Sequence, residues 1–455
     1  MKKKTLDLTE GNIFLALVLF VLPILLGSLI QQLYVTADAV IVGQFNGKNG
    51  LAAIDSVHTL FKFPLNFMNG LAAGATILIS RFYGARDRES LHCSIRTAYT
   101  VAVVLGVICS IAGVLMTSFF LDIMAVPKDI YEQTAAYTQV YFSGIWAMIL
   151  YNMTSGVLRA LGDSKRPLYV LVLCSVLNIA GDLLLVGVFR LGVRGAAAAT
   201  VFSQIVSAAY TMWLLAGIER EEGQKKIWHI HFCKEHMLSM IKTGFPLALQ
   251  AVLFPVANSI VQASVNSMGT NQIAAWGICD KLDMLIWLLA DAMSPALTTY
   301  TAQNIGAGKI NRVKRGVLAG AGMSAACVAA ISVVLFFGTG MMGHWFVSAA
   351  DAKDVVPLSV VYMKIMAPFF VFYALAEAFS GACCSMGYTV KPMLITLACT
   401  CLLRVVGILV LLPRYKTMEC IVWIYVASWI VTGVVFTMLF WFRERGLKTL
   451  SQKFR

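Results

Sequence analysis

The chain has 455 residues, of which 59% are hydrophobic and only 13% are charged, and its mean hydropathy is +0.77. These values exclude a water-soluble domain and indicate a polytopic membrane protein. The net charge of +13 does not suggest nucleic-acid binding, because the Lys and Arg residues are divided among short loops and are not gathered on one face.

Long apolar runs follow one another along the chain and predict membrane-spanning helices. A helix needs roughly 20 residues to cross a hydrocarbon core ~30 Å thick, so the length allows about a dozen spans. Barrel strands are excluded, because the runs are long and do not alternate. We predict twelve spans, at residues 12–43, 51–80, 93–120, 131–161, 167–189, 194–217, 237–267, 272–303, 316–340, 356–386, 391–412 and 419–442. We expect the first run to remain as a span, not to be cleaved as a signal peptide.

Lys and Arg residues crowd the even-numbered connections between the predicted spans. Arg86 and Arg88 follow the second span, and Lys309 and Arg312 follow the eighth. Loops rich in positive charge remain in the cytoplasm. We therefore expect a multi-pass protein of the cell membrane with both termini in the cytoplasm.

The two halves of the sequence repeat one another. Gly84-Ala85 aligns with Gly306-Ala307, and the stretch from Gly156 to Gly162 aligns with that from Gly381 to Gly387. Six spans in each half bring both halves in from the same side, which predicts parallel repeats about an axis along the membrane normal. The predicted organisation is a six-helix bundle at 1–218, a cytoplasmic linker at 219–236, a second six-helix bundle at 237–442 and a basic cytoplasmic tail at 443–455.

Four polar side chains lie at similar depth in three spans of the first half. Asp38 is near the end of the first span and Asp182 is near the end of the fifth, with Asn178 one turn before it. Thr200 lies at the same level in the descending sixth span. Two carboxylates in a medium of low dielectric constant repel each other, and a bound H⁺ or Na⁺ removes that repulsion. These residues are therefore a candidate cation site; alternatively, Asp182 only hydrogen-bonds neighbouring helices.

Several ordered motifs resemble those of the multidrug and toxic compound extrusion (MATE) family. They are Pro23 ahead of Asp38, FYGAR, RALGDSKRP, NIAGD, RGAAAATVFSQ and, in the second half, NIGAGK. The resemblance implies an all-α fold of twelve transmembrane helices, in which two six-helix bundles related by pseudo-two-fold symmetry form a V-shaped cavity. It also implies a cation-coupled drug antiporter, with the cation site at Asp38, Asn178, Asp182 and Thr200 and a hinge at Pro23.

The second half departs from the first at the cation site. Ile260 or Val261 stands opposite Asp38 and Gly407 stands opposite Asp182, so we expect no copy of the site there. Glu377 is instead a candidate for contacting a cationic drug, with Arg404 or Lys364 open as its partner in the fold. Asp280, Lys281 and Asp283 either neutralise one another or face a wet cavity, and Asp283 is retained as a cavity candidate.

Aromatic and Met side chains on the second and eighth spans are further candidates for substrate contact. In the MATE family these helices line the cavity, and flexible Met with aromatic faces suits varied lipophilic cations. The alternative is that they only pack or face lipid. The candidates are Phe61, Phe67, Met68, Met284, Trp287 and Met293.

These observations favour a secondary active multidrug exporter that exchanges lipophilic, often cationic compounds for H⁺ or Na⁺ by alternating access. The alternative is an exporter of lipid-linked saccharides with the same overall fold, although few basic residues lie within the spans. No ATP-binding or nucleophile motif is present, so we expect neither an enzyme nor a cofactor. We expect a monomer that contacts small organic substrates and membrane lipid. The 11 cysteines lie mostly within predicted spans and are expected to be small packing residues.

Overall fold

A computed structural model describes residues 6–221 and 233–444, and this part of the chain consists of helices and short turns without any β-strand. The prediction of an all-α polytopic protein is confirmed. The predicted basic tail and most of the predicted linker lie outside the described residues. The helices are α1 Ile13–Ala85, α2 Arg88–Leu115, α3 Thr117–Ile123, α4 Tyr131–Ala160, α5 Lys165–Asp182, α6 Gly192–Glu221, α7 Lys234–Asn266, α8 Thr270–Leu282, α9 Met284–Gly306, α10 Ile310–Gly343, α11 Ala352–Met366, α12 Phe370–Ser385, α13 Val390–Ile395, α14 Leu403–Tyr415 and α15 Met418–Glu444.

Two helices continue into π-helical turns. Leu183–Val188 extends α5 directly after Asp182, and Thr396–Leu402 joins α13 to α14. A short 3₁₀ turn, Ala367–Phe369, joins α11 to α12. Turns of the π type often mark functional positions in helices, and the first of these begins beside one of the predicted cation ligands.

Nine helices of the described chain are long and apolar enough to cross a membrane, judged by length and composition. α1 is counted once although it contains 73 residues and both of the first two predicted spans. A straight helix of that length would measure about 110 Å, several times the apolar thickness of a bilayer. The helix is in fact interrupted at Gly47, whose φ of 65° and ψ of −165° are not helical. The fourth and eighth predicted spans also form helices, α4 and the pair α8 and α9, but are not among the nine.

Residues with positive φ recur at equivalent places in the two halves. Gly47 in α1 has its counterpart in Gly269 before α8, and Gly162 after α4 has its counterpart in Gly387 after α12. The alignment that pairs Gly84 with Gly306 also pairs Arg86 and Gly308, which both have positive φ. Left-handed residues commonly end helices. The internal repeat read from the sequence therefore extends to the backbone conformation of the turns.

The described chain forms two compact units, which do not coincide with its two sequence halves. The first unit contains Leu22–Ala248, and the second contains Asp7–Val21 and the chain from Leu249 onward. The predicted bundles, 1–218 and 237–442, were defined by the sequence repeat. The units are defined by packing, and they differ from the bundles in the first turns of α1 and α7.

In the first unit, α4 packs on α2 and α6, and the second part of α1 packs on the beginning of α7. Two glycines of α1 allow this close approach: a Cβ atom at Gly70 would lie 2.2 Å from the Cα of Ala248, and one at Gly74 would lie 2.4 Å from the Cα of Gly244. Small residues at such contacts let helix backbones approach closely within membranes.

In the second unit, α12 packs on α9, α10 and α15. The beginning of the described chain is held there by side chains of the NIGAGK motif and of the following turn. The Asn304 amide donates to the Leu8 carbonyl at 3.2 Å, and Lys309 donates to the Thr9 carbonyl at 2.9 Å. Arg312 donates to the carbonyls of residues 8, 10 and 11. These contacts place Asp7–Val21 with the second unit.

Candidate functional site

Asp38 on α1 and Asp182 at the end of α5 face each other within the first unit. Their carboxyl groups lie within hydrogen-bonding reach of each other. Asp182 is fully buried, and Asp38 is partly exposed. Among the described residues, no donor reaches either oxygen of Asp182 or the buried oxygen of Asp38. The pair therefore presents oxygen atoms whose charge is not neutralised by hydrogen bonds.

Asn178 and Thr200, the other two predicted ligands, form a second pair. The Asn178 Nδ2 group donates to the Thr200 hydroxyl at 3.2 Å, which leaves the buried Asn178 Oδ1 without a partner in the described chain. Asn178 lies one turn before Asp182 on α5, and so the two side chains share a face. Neutral and charged oxygen atoms of this kind suit a hard cation such as Na⁺.

Three tyrosines lie near Asp38 and were missed in the sequence analysis. Tyr34 precedes Asp38 by one turn of α1, and Tyr137 and Tyr141 lie on α4; each is close enough to Asp38 for their charges to interact. The rings of the two α4 tyrosines stack at 5.9 Å, and Phe61 lies 4.0 Å from Tyr141. Only the spacing of Tyr34 from Asp38 was visible in the sequence. The tyrosines make the surroundings of the carboxyl pair aromatic.

Pro23, the predicted hinge, is buried within α1. The helix passes from the second unit to the first between Val21 and Leu22, immediately before this proline. Proline removes one backbone hydrogen bond of a helix and weakens it locally. Its role as a hinge stays a prediction.

Glu377, the predicted drug-contacting residue, has another acid as its neighbour in the second unit. It lies on α12 close enough to Asp291 on α9 for their charges to interact, and it hydrogen-bonds Ser294. The Tyr373 hydroxyl donates to Asp291 Oδ1 at 2.9 Å. Asp291 was missed although it is a single charge in an apolar run, the same signal that singled out Asp38.

Arg404 was one of two candidate partners for Glu377, but its hydrogen bonds and its ring contact are with other residues. It is fully buried, and its guanidinium donates to Ser428 at 2.9 Å and to Asn258 at 3.0 Å. The guanidinium also lies 4.0 Å from the centre of the Tyr425 ring. Arg404 thus joins α14 to α7 and α15 through neutral groups.

The acidic residues around α8 do not form one cluster. Asp283 is buried and accepts a hydrogen bond from Trp287 Nε1 at 2.8 Å, whereas Asp280 and Lys281 are exposed. Trp287 also meets the Tyr373 ring edge to face at 4.3 Å. Asp283 therefore supports the aromatic side chain that packs on Tyr373, the hydrogen-bond donor to Asp291.

The remaining predicted cavity residues divide by burial. Phe61 and Met68 are buried in the first unit and Met293 is buried in the second. Phe67 and Met284 are partly exposed, as is Trp287, and Phe67 meets Phe245 edge to face at 6.2 Å. Substrate contact by these residues stays a prediction, and only the partly exposed group has side-chain surface outside the packed interior.

Apolar spanning helices with carboxyl pairs inside them define a polytopic membrane carrier. The MatE family model matches residues 23–184 and 246–410, and the chain therefore belongs to this family, the multidrug and toxic compound extrusion transporters. It is a multi-pass membrane transport protein and not an enzyme.

Two Bacillus subtilis proteins are among its relatives. The chain is 29% identical to the probable multidrug resistance protein YpnP over 401 residues, covering 88% of this chain and 89% of YpnP. It is 28% identical to the probable multidrug resistance protein YoeA over 320 residues, covering 69% of each chain.

A solved structure shares the fold. It is an outward-facing conformation of a multidrug resistance MATE family transporter of the MOP superfamily, with a TM-score of 0.89 and 21% identity, covering 98% of this chain and 99% of that one.

Proposed function

We propose that the protein exports lipophilic, often cationic compounds from the cell in exchange for H⁺ or Na⁺, by alternating access between its two six-helix bundles. It acts as a monomer in the cell membrane, with both termini in the cytoplasm. The observation that carries this proposal is the Asp38 and Asp182 carboxyl pair in the aromatic interior of the unit, where no other described residue donates to either oxygen of Asp182 or to the buried oxygen of Asp38. Ionisable groups inside membrane helices are costly and are the usual carriers of coupling.

Binding of H⁺ or Na⁺ removes the repulsion between the two carboxyl groups, and α1 then packs more closely on α5. Asn178 and Thr200 supply neutral oxygen atoms for the ion, and the rings of Tyr137 and Tyr141 keep its surroundings aromatic. α1 bends at Pro23 to accommodate this change in packing. An ion shifts the equilibrium between the two packings of α1 on α5 only if it binds one of them more tightly. The cation site must therefore bind the ion more weakly in the form that binds the drug.

Glu377 and Asp291 supply negative charge for the substrate in the second unit. Trp287 and Tyr373 lie beside them and offer aromatic faces to a lipophilic cation. The relatives named as multidrug resistance proteins favour this function over export of lipid-linked saccharides.

Ethidium efflux from membrane vesicles tests the proposal, with a proton gradient and a sodium gradient imposed separately. We expect efflux with at least one gradient and none without either. Efflux that persists when both gradients are collapsed would contradict coupled exchange. Transport of a lipid-linked saccharide without transport of ethidium would favour the alternative.

A further inference from the structure

Cys93 and Cys233 form a disulfide that joins two distant parts of the first unit. Their Cα atoms are 6.4 Å apart across a sequence separation of 140 residues, within the range that a disulfide spans. Cys93 is in the second turn of α2, and Cys233 is the residue immediately before α7. The other nine cysteines are free. The expectation that the cysteines are only packing residues is therefore wrong for this pair. The sequence does not reveal the pairing, because the two cysteines are 140 residues apart.

The pair borders an open cavity of about 340 Å³. Both cysteines are partly exposed, and Glu89, Lys234 and His236 line the same cavity. Small thiols and small disulfides can therefore approach the pair through this cavity. This access distinguishes the pair from the cysteines buried between helices.

Three contacts hold the start of α7 in place independently of the bond, and two of them join it to α2, the helix of Cys93. The Cys233 backbone N–H donates to the Thr97 hydroxyl at 3.3 Å. Ser94 hydrogen-bonds His236 Nδ1 at 2.8 Å. The His236 ring lies 5.3 Å from the ring of Phe82. The start of α7 is thus held against α2 by the first two contacts and against the end of α1 by the third, so the bond can re-form after reduction.

Cys233 is the better attacking thiol of the two. It lies at the N-terminus of a 33-residue helix and next to Lys234. A helix N-terminus and a neighbouring positive charge both stabilise a thiolate, which is the reactive form. In the orientation proposed above, both cysteines face the cytoplasm, where disulfides are rare and are usually transient or redox-sensing.

We propose that Cys93 and Cys233 are a reversible redox site that controls the beginning of α7. The Cys233 thiolate attacks a sulfur of oxidised glutathione and expels one glutathione thiolate. Cys93, as its thiolate, then attacks the Cys233 sulfur of this mixed disulfide and expels the second glutathione. Two protein thiols and one glutathione disulfide thus become one protein disulfide and two glutathione molecules, and excess glutathione reverses the exchange.

Oxidation restrains α7 because this helix belongs to both compact units. Its residues up to Ala248 lie in the first unit, and those from Leu249 lie in the second. The disulfide fixes its first turn to α2, whereas the reduced protein keeps only the noncovalent contacts. We expect oxidation to slow drug export, an effect that rests on the proposed function because alternating access must act through α7.

The test uses full-length protein in liposomes, equilibrated with glutathione buffers of graded redox ratio. Mass spectrometry of the linked peptides reports the bond, hydrogen exchange reports the first turns of α7, and ethidium transport reports function. We expect oxidation to form the link, to slow exchange at residues 234–248 and to lower transport at least threefold, with full recovery in dithiothreitol. Cys93→Ser and Cys233→Ser should stay at the reduced rate throughout. Cys327→Ser, which removes an exposed free cysteine, should behave as wild type.

Three results would each overturn the redox site: no linked peptide at any ratio, a link that glutathione cannot reduce, or a link that leaves both hydrogen exchange and transport unchanged. Absence of ethidium transport in both redox states contradicts the proposed function instead. In that case, the linked peptide and the exchange of residues 234–248 still decide whether the site exists.

Discussion

Asp38 lies where its charge can be changed without unfolding the helix that carries it. The carboxyl group is partly exposed, so ions can reach it, whereas its partner Asp182 is fully buried. Burial of an ionised carboxylate without hydrogen bonds is unfavourable. In the proposed mechanism, an ion bound at Asp38 therefore reduces the unfavourable free energy of the buried Asp182 carboxylate.

We expect Asp38→Asn to abolish acid-triggered release of ethidium from the purified protein. The amide cannot ionise, so the pair remains in a state like the protonated one at every pH. The measurement is ethidium fluorescence after a pH jump. Asp55→Asn is the matched control, because Asp55 is an exposed carboxylate of the same helix and should leave release unchanged. Release by Asp38→Asn with wild-type amplitude and midpoint would place the coupling carboxylate elsewhere.

Glu377→Gln should weaken the binding of cationic substrates while sparing neutral ones. A desolvated charge pair contributes on the order of 2–5 kcal/mol to binding, and we expect about 2 kcal/mol because Asp291 keeps a negative charge beside the site. Equilibrium binding of paired cationic and neutral compounds measures the difference. Asp280→Asn, at an exposed acid, should change neither. Equal losses for both compounds would show that Glu377 only stabilises the fold.

At the scale of the helix, α1 combines a proline with a change of compact unit. Pro23→Ala restores the missing backbone hydrogen bond and stiffens α1 just after Val21. We expect ion binding to persist in this variant, while ion-driven ethidium release falls several-fold. Calorimetric titration of the ion and the pH jump measure the two quantities separately. Pro64→Ala changes a proline in the second part of the same helix and should keep coupling. Full coupling in Pro23→Ala would contradict the hinge.

The contact of α1 with α7 depends on having no side chain at two positions of α1. Gly74→Leu forces a side chain toward the backbone of Gly244, where even a Cβ atom is 2.4 Å from Cα. Overpacking of this kind costs about 1–3 kcal/mol, so the midpoint of thermal unfolding in detergent should fall. A Cβ atom at Gly322 of α10 meets nothing within 4 Å, and Gly322→Leu should unfold as wild type. An unfolding midpoint of Gly74→Leu equal to that of the wild type would mean that α1 and α7 can move apart to fit the side chain without loss of stability.

Hydropathy predicts spans well, because lipid demands a long apolar helix wherever the chain crosses it. It does not predict that the first two spans form one helix interrupted only at Gly47. Nor does it predict that Gly269 has a positive φ at the equivalent place in the second half. It finds Asp38 because a charge is conspicuous in an apolar run. It does not find Tyr137 or the Cys93 and Cys233 pair, since tertiary packing brings distant residues together, and packing leaves no periodic signal.

The orientation of the protein in the membrane can be tested at two of its loops. Loop charge predicts that Arg88 faces the cytoplasm and that Lys128 faces outward. Both side chains are exposed. In a cysteine-free background, an impermeant maleimide added to intact cells should label Lys128→Cys and should reach Arg88→Cys only after lysis. The reverse pattern would invert the topology and would also remove the cytoplasmic setting of the Cys93 and Cys233 pair.

The contacts of Leu8 to Gly11 with Asn304, Lys309 and Arg312 have a consequence for synthesis. These partners are separated by 296 to 304 residues of chain. At a translation rate of roughly 5–20 residues per second, the segment before α1 waits roughly 15–60 s before its partners leave the ribosome. Among the contacts of the second unit, those of the earliest-made residues must therefore form late. A chain that stalls before α9 leaves the carbonyl groups of Leu8 to Gly11 without these hydrogen-bond donors, and quality-control proteases can recognise such a chain by that exposed segment.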